Sequence, residues 1–198
     1  MTQSYFLILI CFFYGLTSCK GQTGKNAYNP KAVEFNNKAL EFVKTANYDS
    51  ALFYLDESIK ADTTFYFSYG NKANVYCTLK DFKNALLVTK KEIEAKPDLA
   101  EGWMFAGMLN DKLGDSVTAL EYYKKSIDLF NDRITNPAKQ KYLEANRLNR
   151  AVAYIFIGQQ KIGFDEINDL KRQFPLDKSL DRFSDINKKE YLKEIFGN

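Results

Sequence analysis

The sequence predicts an all-α chain of stacked helical hairpins, on three observations. Aligned on itself, it repeats with a period of 34 residues over Ala32–Phe65, Tyr66–Leu99 and Ala100–Arg133, a spacing typical of helical repeat arrays. Small residues recur at fixed slots: Ala39, Ala73 and Gly107 at the eighth, Ala51, Ala85 and Ala119 at the twentieth. Bulky Phe35, Tyr69 and Trp103 fill the fourth, and Trp103 is expected in the core. Small side chains let two helix backbones come close, and large ones at the fourth, eleventh and twenty-fourth slots fill the wedge beside them. One such unit cannot bury its apolar face alone, so units must stack.

Taken in chain order, residues 1–18 read as an export signal. Phe6–Leu16, "FLILICFFYGL", is an apolar run of 11 residues. That suits a signal peptide and falls short of the roughly 18–20 residues that span a bilayer. The preceding "MTQSY" carries no Lys or Arg. "LTSC", Leu16–Cys19, then resembles the lipobox of bacterial lipoproteins, where cleavage just before the cysteine leaves a thiol to be lipidated. Each buried methylene contributes about 0.8 kcal/mol to insertion, and two or more acyl chains anchor stably. The resemblance implies a lipid on Cys19, followed by a flexible tether over residues 19–30. Lys20, Gly21 and Gln22 include no acidic residue, which by the same resemblance favours the outer membrane, facing the periplasm. Cys11 would leave with the signal and Cys19 carry lipid, so Cys77 stands alone and no disulfide within the mature chain is expected.

The body, residues 31–177, resembles the tetratricopeptide repeat. Copies fall at about 32–65, 66–99 and 100–133. A fourth at 144–177 places Ala151, Tyr154, Gly163 and Pro175 in the same slots. The resemblance implies a right-handed α-solenoid of about four hairpins. Turns are expected at "ANYDS", "LKDF", "LGDS" and "IGQQ". Pro97 and Pro175 close second helices, because proline lacks an N–H and fixes φ. Asn110 at an eleventh slot, Thr89 at a twenty-fourth and Arg147 at a fourth depart from the pattern. Ile134–Leu143 inserts ten residues between copies, predicting a loop near Asn136–Pro137 and extra N-terminal turns on the next helix. Residues 178–198 carry Phe183, Ile186, Tyr191, Leu192, Ile195 and Phe196. They read as a C-terminal helix capping the stack, or as a helix that docks a partner.

Composition narrows the function. The chain of 198 residues is 45% hydrophobic and 27% charged, with 28 basic against 25 acidic residues well mixed. No polybasic footprint for nucleic acid results. Histidine is absent, removing the commonest general base and metal ligand. No phosphate loop, nucleophile triad or metal-ligand spacing is present, so neither enzyme activity nor a cofactor is expected. Adjacent carboxylates such as Asp56 and Glu57 read as solvated helix charges, with Lys60 placed for helix-surface pairing.

The repeat resemblance instead implies a protein or peptide partner, held by first-helix positions two, five, nine, twelve and thirteen. In the first copy these are Val33, Asn36, Leu40, Val43 and Lys44. In the second they are Phe67, Gly70, Asn74, Cys77 and Thr78. The third supplies Glu101, Met104, Met108, Asp111 and Lys112, and the fourth Ala145, Leu148, Val152, Ile155 and Phe156. The groove proper is read as Leu40, Lys44, Phe67, Asn74, Cys77, Met104, Met108 and Lys112. Met104 and Met108 lie one turn apart and would offer a yielding apolar surface. Val152, Ile155 and Phe156 are read first as packing under the terminal helix, with groove contact as the alternative. Capture of a C-terminal carboxylate does not fit: Asn74 matches one slot, but Asn36 and Leu40 stand where that clamp needs a cation and an amide. The expected role is therefore a membrane-anchored scaffold of the bacterial envelope, with a self-associating structural lipoprotein as the alternative and capture of a small ligand as a weaker one.

Overall fold

The computed structural model describes residues 28–197, in two compact units that part between Pro97 and Asp98. Every regular element among the described residues is helical. The expected export signal and Cys19 lie outside the described residues.

The first unit holds α1 (Pro30–Lys44), α2 (Tyr48–Ala61), α3 (Tyr66–Thr78) and α4 (Phe82–Ala95). α1 pairs with α2 and α3 with α4, while α3 also packs on α2 and α1. The second unit holds α5 (Ala100–Lys112), α6 (Ser116–Thr135), α7 (Leu143–Phe156), α8 (Gln160–Gln173) and α9 (Lys188–Phe196), with 3-10 turns at Pro137–Tyr142 and Lys178–Phe183. Here α5 pairs with α6, α6 with α7, and α7 with α8; α9 lies against α5.

All four hairpins turn in the same way. The fifteenth repeat residue takes positive φ: Ala46 at 55°, Lys80 at 60°, Gly114 at 89° and Gly158 at 86°. The next N–H then reaches back to a first-helix carbonyl, as Asn47 to Phe42, Asp81 to Tyr76, Asp115 to Asn110 and Gln159 to Tyr154, each at 2.9 Å. This is the glycine-favouring helix stop. Asn47, Asp81 and Asp115 also cap the second helix through their side chains, satisfying one otherwise orphaned N–H each. The first two turns therefore carry Ala and Lys where backbone sterics prefer Gly. The left-handed conformation costs a non-glycine residue about 1–2 kcal/mol, and glycine's extra unfolded-state freedom takes back part of that. Ala46→Gly and Lys80→Gly should each stabilise by about 0.5–1 kcal/mol, and Gly114→Ala should destabilise by about 1 kcal/mol, read from urea unfolding midpoints.

The eighth and twentieth slots are where the helices touch. Ala39, Ala51, Ala73, Ala85, Ala119 and Ala151 are all fully buried. A Cβ on Gly163 would stand 2.5 Å from the Ala151 carbonyl oxygen and 2.5 Å from Ile155 Cγ1. Alanine adds about 1 kcal/mol of helix propensity. The obstacle is backbone, however, so relief requires α8 to move off α7, and overpacking of this kind costs about 1–3 kcal/mol. Gly163→Ala is expected to lower stability by about 1–2 kcal/mol net; a rise in the thermal midpoint would show that the interhelix contact yields more easily than its geometry indicates.

The departures from the repeat pattern find local partners. Asn110 is buried and donates Nδ2 to the Ala106 carbonyl at 2.7 Å, and buried Thr89 donates its hydroxyl to the Ala85 carbonyl at 2.8 Å. Arg147 reaches Glu166 and Asp169 on α8. Pro97 and Pro175 each follow the end of a second helix by two residues. Trp103, expected in the core, is only half-buried and meets Tyr122 edge-on at 5.4 Å.

Two segments differ from expectation. The insertion does not lengthen α7, which begins at Leu143; it lengthens α6 to 20 residues and adds the 3-10 turn. Buried Phe130 and the Arg133–Glu101 pair at 2.6 Å hold the extra turns of α6 until Pro137 stops them. The terminal segment is not one helix. It forms the 3-10 turn at Lys178–Phe183, breaks, and restarts at α9, where Asn187 caps the N–H groups of Lys189 and Glu190.

Candidate partner-binding surface

The residues assigned to the groove meet different fates in the two units. In the first, Val33, Val43, Phe67, Asn74 and Cys77 are half-buried, and Lys44 and Thr78 are exposed. They sit on one face of α1 and α3, the first helices of their hairpins. Leu40 is instead buried at 6% exposure. Asn36 also turns inward: its Oδ1 accepts from Asn71 Nδ2 at 2.8 Å and from the Ser68 hydroxyl at 3.3 Å. Ser68 in turn meets Ser58, whose hydroxyl bonds the Ala32 carbonyl. That buried polar chain ties α1, α2 and α3 together.

Phe67 belongs to an aromatic ledge that sequence reasoning did not find. Its ring stacks on Tyr66 at 4.1 Å, and Tyr28 lies 6.3 Å away, edge-on. Tyr28 also meets buried Phe65 at 4.9 Å. Next to it, the Asn29 N–H donates to Asp62 at 2.9 Å and its side chain to the Ala61 carbonyl at 2.9 Å. Residues 28–30, read from sequence as tether, are thus docked on the first unit. Burial pushes the Asp62 carboxyl up, but bonds from the Thr64 hydroxyl and from backbone N–H groups outweigh it and hold it below the ordinary value. The signal in the sequence was one tyrosine in "NAYNP"; nothing in the repeat pattern marks its destination.

Cys77 is a packing residue. Burial pushes its thiol up to about 12, which suppresses the thiolate that reacts. Alkylation of Cys77 at pH 8, followed by peptide mass spectrometry, should run at least about a hundredfold slower than for an unperturbed cysteine.

In the second unit most of the predicted positions are buried, and of the ten Ala145 alone is exposed. Met104 and Met108 are buried at 0% and 1% exposure, so neither faces solvent. Unlike the open positions of α1 and α3, they fill the interior of their unit. Lys112 donates Nζ to the Gly197 carbonyl at 2.8 Å. Asp111 accepts from the Tyr123 hydroxyl at 2.9 Å and from Ser116 at 2.8 Å, and pairs with Lys188 at 3.0 Å. Burial, with Asp111 adding to it, pushes the Tyr123 hydroxyl well up, so it remains a donor. Leu148, Val152, Ile155 and Phe156 are buried as well, and Phe156 meets Tyr191 edge-on at 5.4 Å. The C-terminal segment supplies the Phe156 contact, through Tyr191.

Comparison with known proteins bears on the repeat and the fold. The tetratricopeptide repeat family model matches residues 100–133, the third copy read from the sequence. Among curated proteins, the chain is 30% identical over 110 residues to the heat shock protein sti1 homolog of Schizosaccharomyces pombe, covering 54% of this chain and 19% of that protein. It is 26% identical over 117 residues to small glutamine-rich tetratricopeptide repeat-containing protein 2 of Saccharomyces cerevisiae, covering 59% of this chain and 34% of that protein. The chain thus spans between a fifth and about a third of the length of these relatives. Among solved structures, a tetratricopeptide repeat protein from Parabacteroides merdae superposes with a TM-score of 0.56 at 18% identity, over 85% of this chain and 60% of that one. PilW, a type IV pilus biogenesis factor, does so with a TM-score of 0.56 at 17% identity, over 84% of this chain and 77% of that one. At these identities the structures establish the fold: all-α, of the tetratricopeptide-solenoid class.

Proposed function

We propose that this protein, built from tetratricopeptide-type hairpins, is an interaction module that holds a protein or peptide partner at the bacterial envelope. The observation that carries the reading is the face of α1 and α3. There Phe67, Asn74, Val33 and Val43 are half-buried and Lys44 is exposed, beside the Tyr28–Tyr66–Phe67 ledge. Such a face offers aromatic area, an amide and a cation to an extended or helical segment. Anchoring is the second part of the proposal. Cys19, set after the apolar run, would carry the lipid, and confinement to a membrane raises the effective concentration for partners on that membrane. The outer membrane, facing the periplasm, is the proposed address. Enzyme activity forms no part of this reading.

Two experiments test it. Cross-linking and affinity capture from solubilised envelopes should return a reproducible protein with the wild-type chain and lose it with Phe67→Ala/Asn74→Ala/Lys44→Glu. Equal capture by both would remove α1 and α3 from the binding surface. Intact-mass analysis should find the mature chain beginning at Cys19 with added acyl mass, and a Cys19→Ser chain lacking it; an unmodified Cys19 would end the anchoring claim.

A further inference from the structure

The C-terminal helix lies where a partner would. α9 contacts the second unit through the first helices of its hairpins, at positions the repeat register assigns to the binding face. Lys188 Nζ reaches Asp111, the Gly197 carbonyl accepts from Lys112, and Tyr191 meets Phe156. Phe196 adds a ring contact to Phe105 at 6.2 Å. A helix that only capped the end of the array would cover the last hairpin. This one reaches back to α5.

We propose that α9 is a resident, displaceable ligand of the second unit, and that the face beneath it takes an amphipathic helix of the same chemistry: a lysine, an aromatic three residues on, and a second aromatic five beyond that. This deepens the proposed binding role, and it rests on that reading only for its physiological purpose. Three features make α9 detachable. It is nine residues long, below the length at which a helix holds its shape alone, so its order depends on docking. The break after Phe183 and the cap by Asn187 make it a separate folding element. Its outer face, Lys189, Glu190, Lys193 and Glu194, is exposed, and the Glu194–Arg182 pair to the preceding 3-10 turn, at 3.0 Å, is a solvent-facing one that costs little to break. The site also keeps its polar anchor when empty, because the Asp111 carboxylate retains the Tyr123 and Ser116 hydroxyls. An incoming helix must therefore supply a cation and two rings, as α9 does.

Hydrogen exchange and peptide binding test this without any envelope partner, so failure of the scaffold reading and failure of this one are distinguishable. In the full wild-type chain, α9 amides should exchange about 100-fold or more faster than those of α5 and α7. A fluorescent peptide of residues 187–198 should bind the full chain carrying Tyr191→Ala and Phe196→Ala at least about tenfold more tightly than wild type, whose site is occupied. Adding Asp111→Asn should weaken that binding. α9 amides as protected as those of α5 and α7 would overturn the proposal, and so would a folded double variant that captures no peptide. If the double variant does not fold, Lys188→Glu serves instead: it keeps both rings and should speed exchange in α9 alone, and unchanged exchange there would equally overturn the proposal.

Discussion

Tyr123→Ala should destabilise the second unit by about 4 kcal/mol. The ring is fully buried, and truncating a buried aromatic costs about 3–5 kcal/mol in transfer and cavity terms. It also lies across the close approach of α5 and α6, since a Cβ on Gly107 would stand 2.7 Å from Tyr123 Cε1. On its other side it meets Phe156 at 5.4 Å. The hydroxyl adds a smaller part. Tyr123→Phe keeps the packing and deprives Asp111 of one donor, for about 1 kcal/mol. Urea unfolding of wild type and both variants measures the split. A Tyr123→Phe loss equal to that of Tyr123→Ala would make the Asp111 bond, not the ring, the dominant contribution.

Tyr123 also shows what the sequence made legible. It occupies the twenty-fourth slot of the third copy, a wedge position, and Gly107 opposite it is the eighth-slot small residue. Both follow from the 34-residue spacing, because that spacing records how each hairpin packs on itself. The same logic found the turns and the ends at Pro97 and Pro175. It did not tell which of the groove positions stay open to solvent. Met104 and Met108 hold groove positions by register, yet they are buried in the second unit. The aromatic pattern of the C-terminal segment was visible, and the sequence reading puts Phe156 under it, where Tyr191 meets it; a self-alignment gives no sign that the segment also reaches Asp111 and Lys112 on α5. Tyr28 escaped for the same reason. Arg147 stood out as an anomaly at a fourth slot, while its carboxylate partners went unseen: aligning copies compares equivalent slots, and an ion pair joins facing ones.

Glu166→Gln is the second change with a large expected effect. The Glu166 side chain on α8 is 8% exposed and sits between two arginines of α7 that are 17% and 19% exposed. Arg147 Nε reaches it at 3.1 Å and Arg150 Nε at 3.0 Å, and a second Arg150 nitrogen bonds it as well. Arg150 further donates to Asn131 on α6 at 2.7 Å, and Arg147 to Asp169 at 2.6 Å. Removing one partner of a buried pair costs about 3–5 kcal/mol, chiefly because it strands the opposite charge. Asp169 and Asn131 still serve the two arginines, so the expected loss is smaller, about 2–3 kcal/mol. If stranding is the cause, replacing the whole cluster should cost less than breaking it. Arg147→Met/Arg150→Met/Glu166→Leu should recover most of the stability that Glu166→Gln loses, since apolar replacement of buried ion clusters is often close to neutral. A triple variant less stable than Glu166→Gln would mean that the cluster's hydrogen bonds, including the link from α7 to α6 through Asn131, contribute more than the burial of its charges costs.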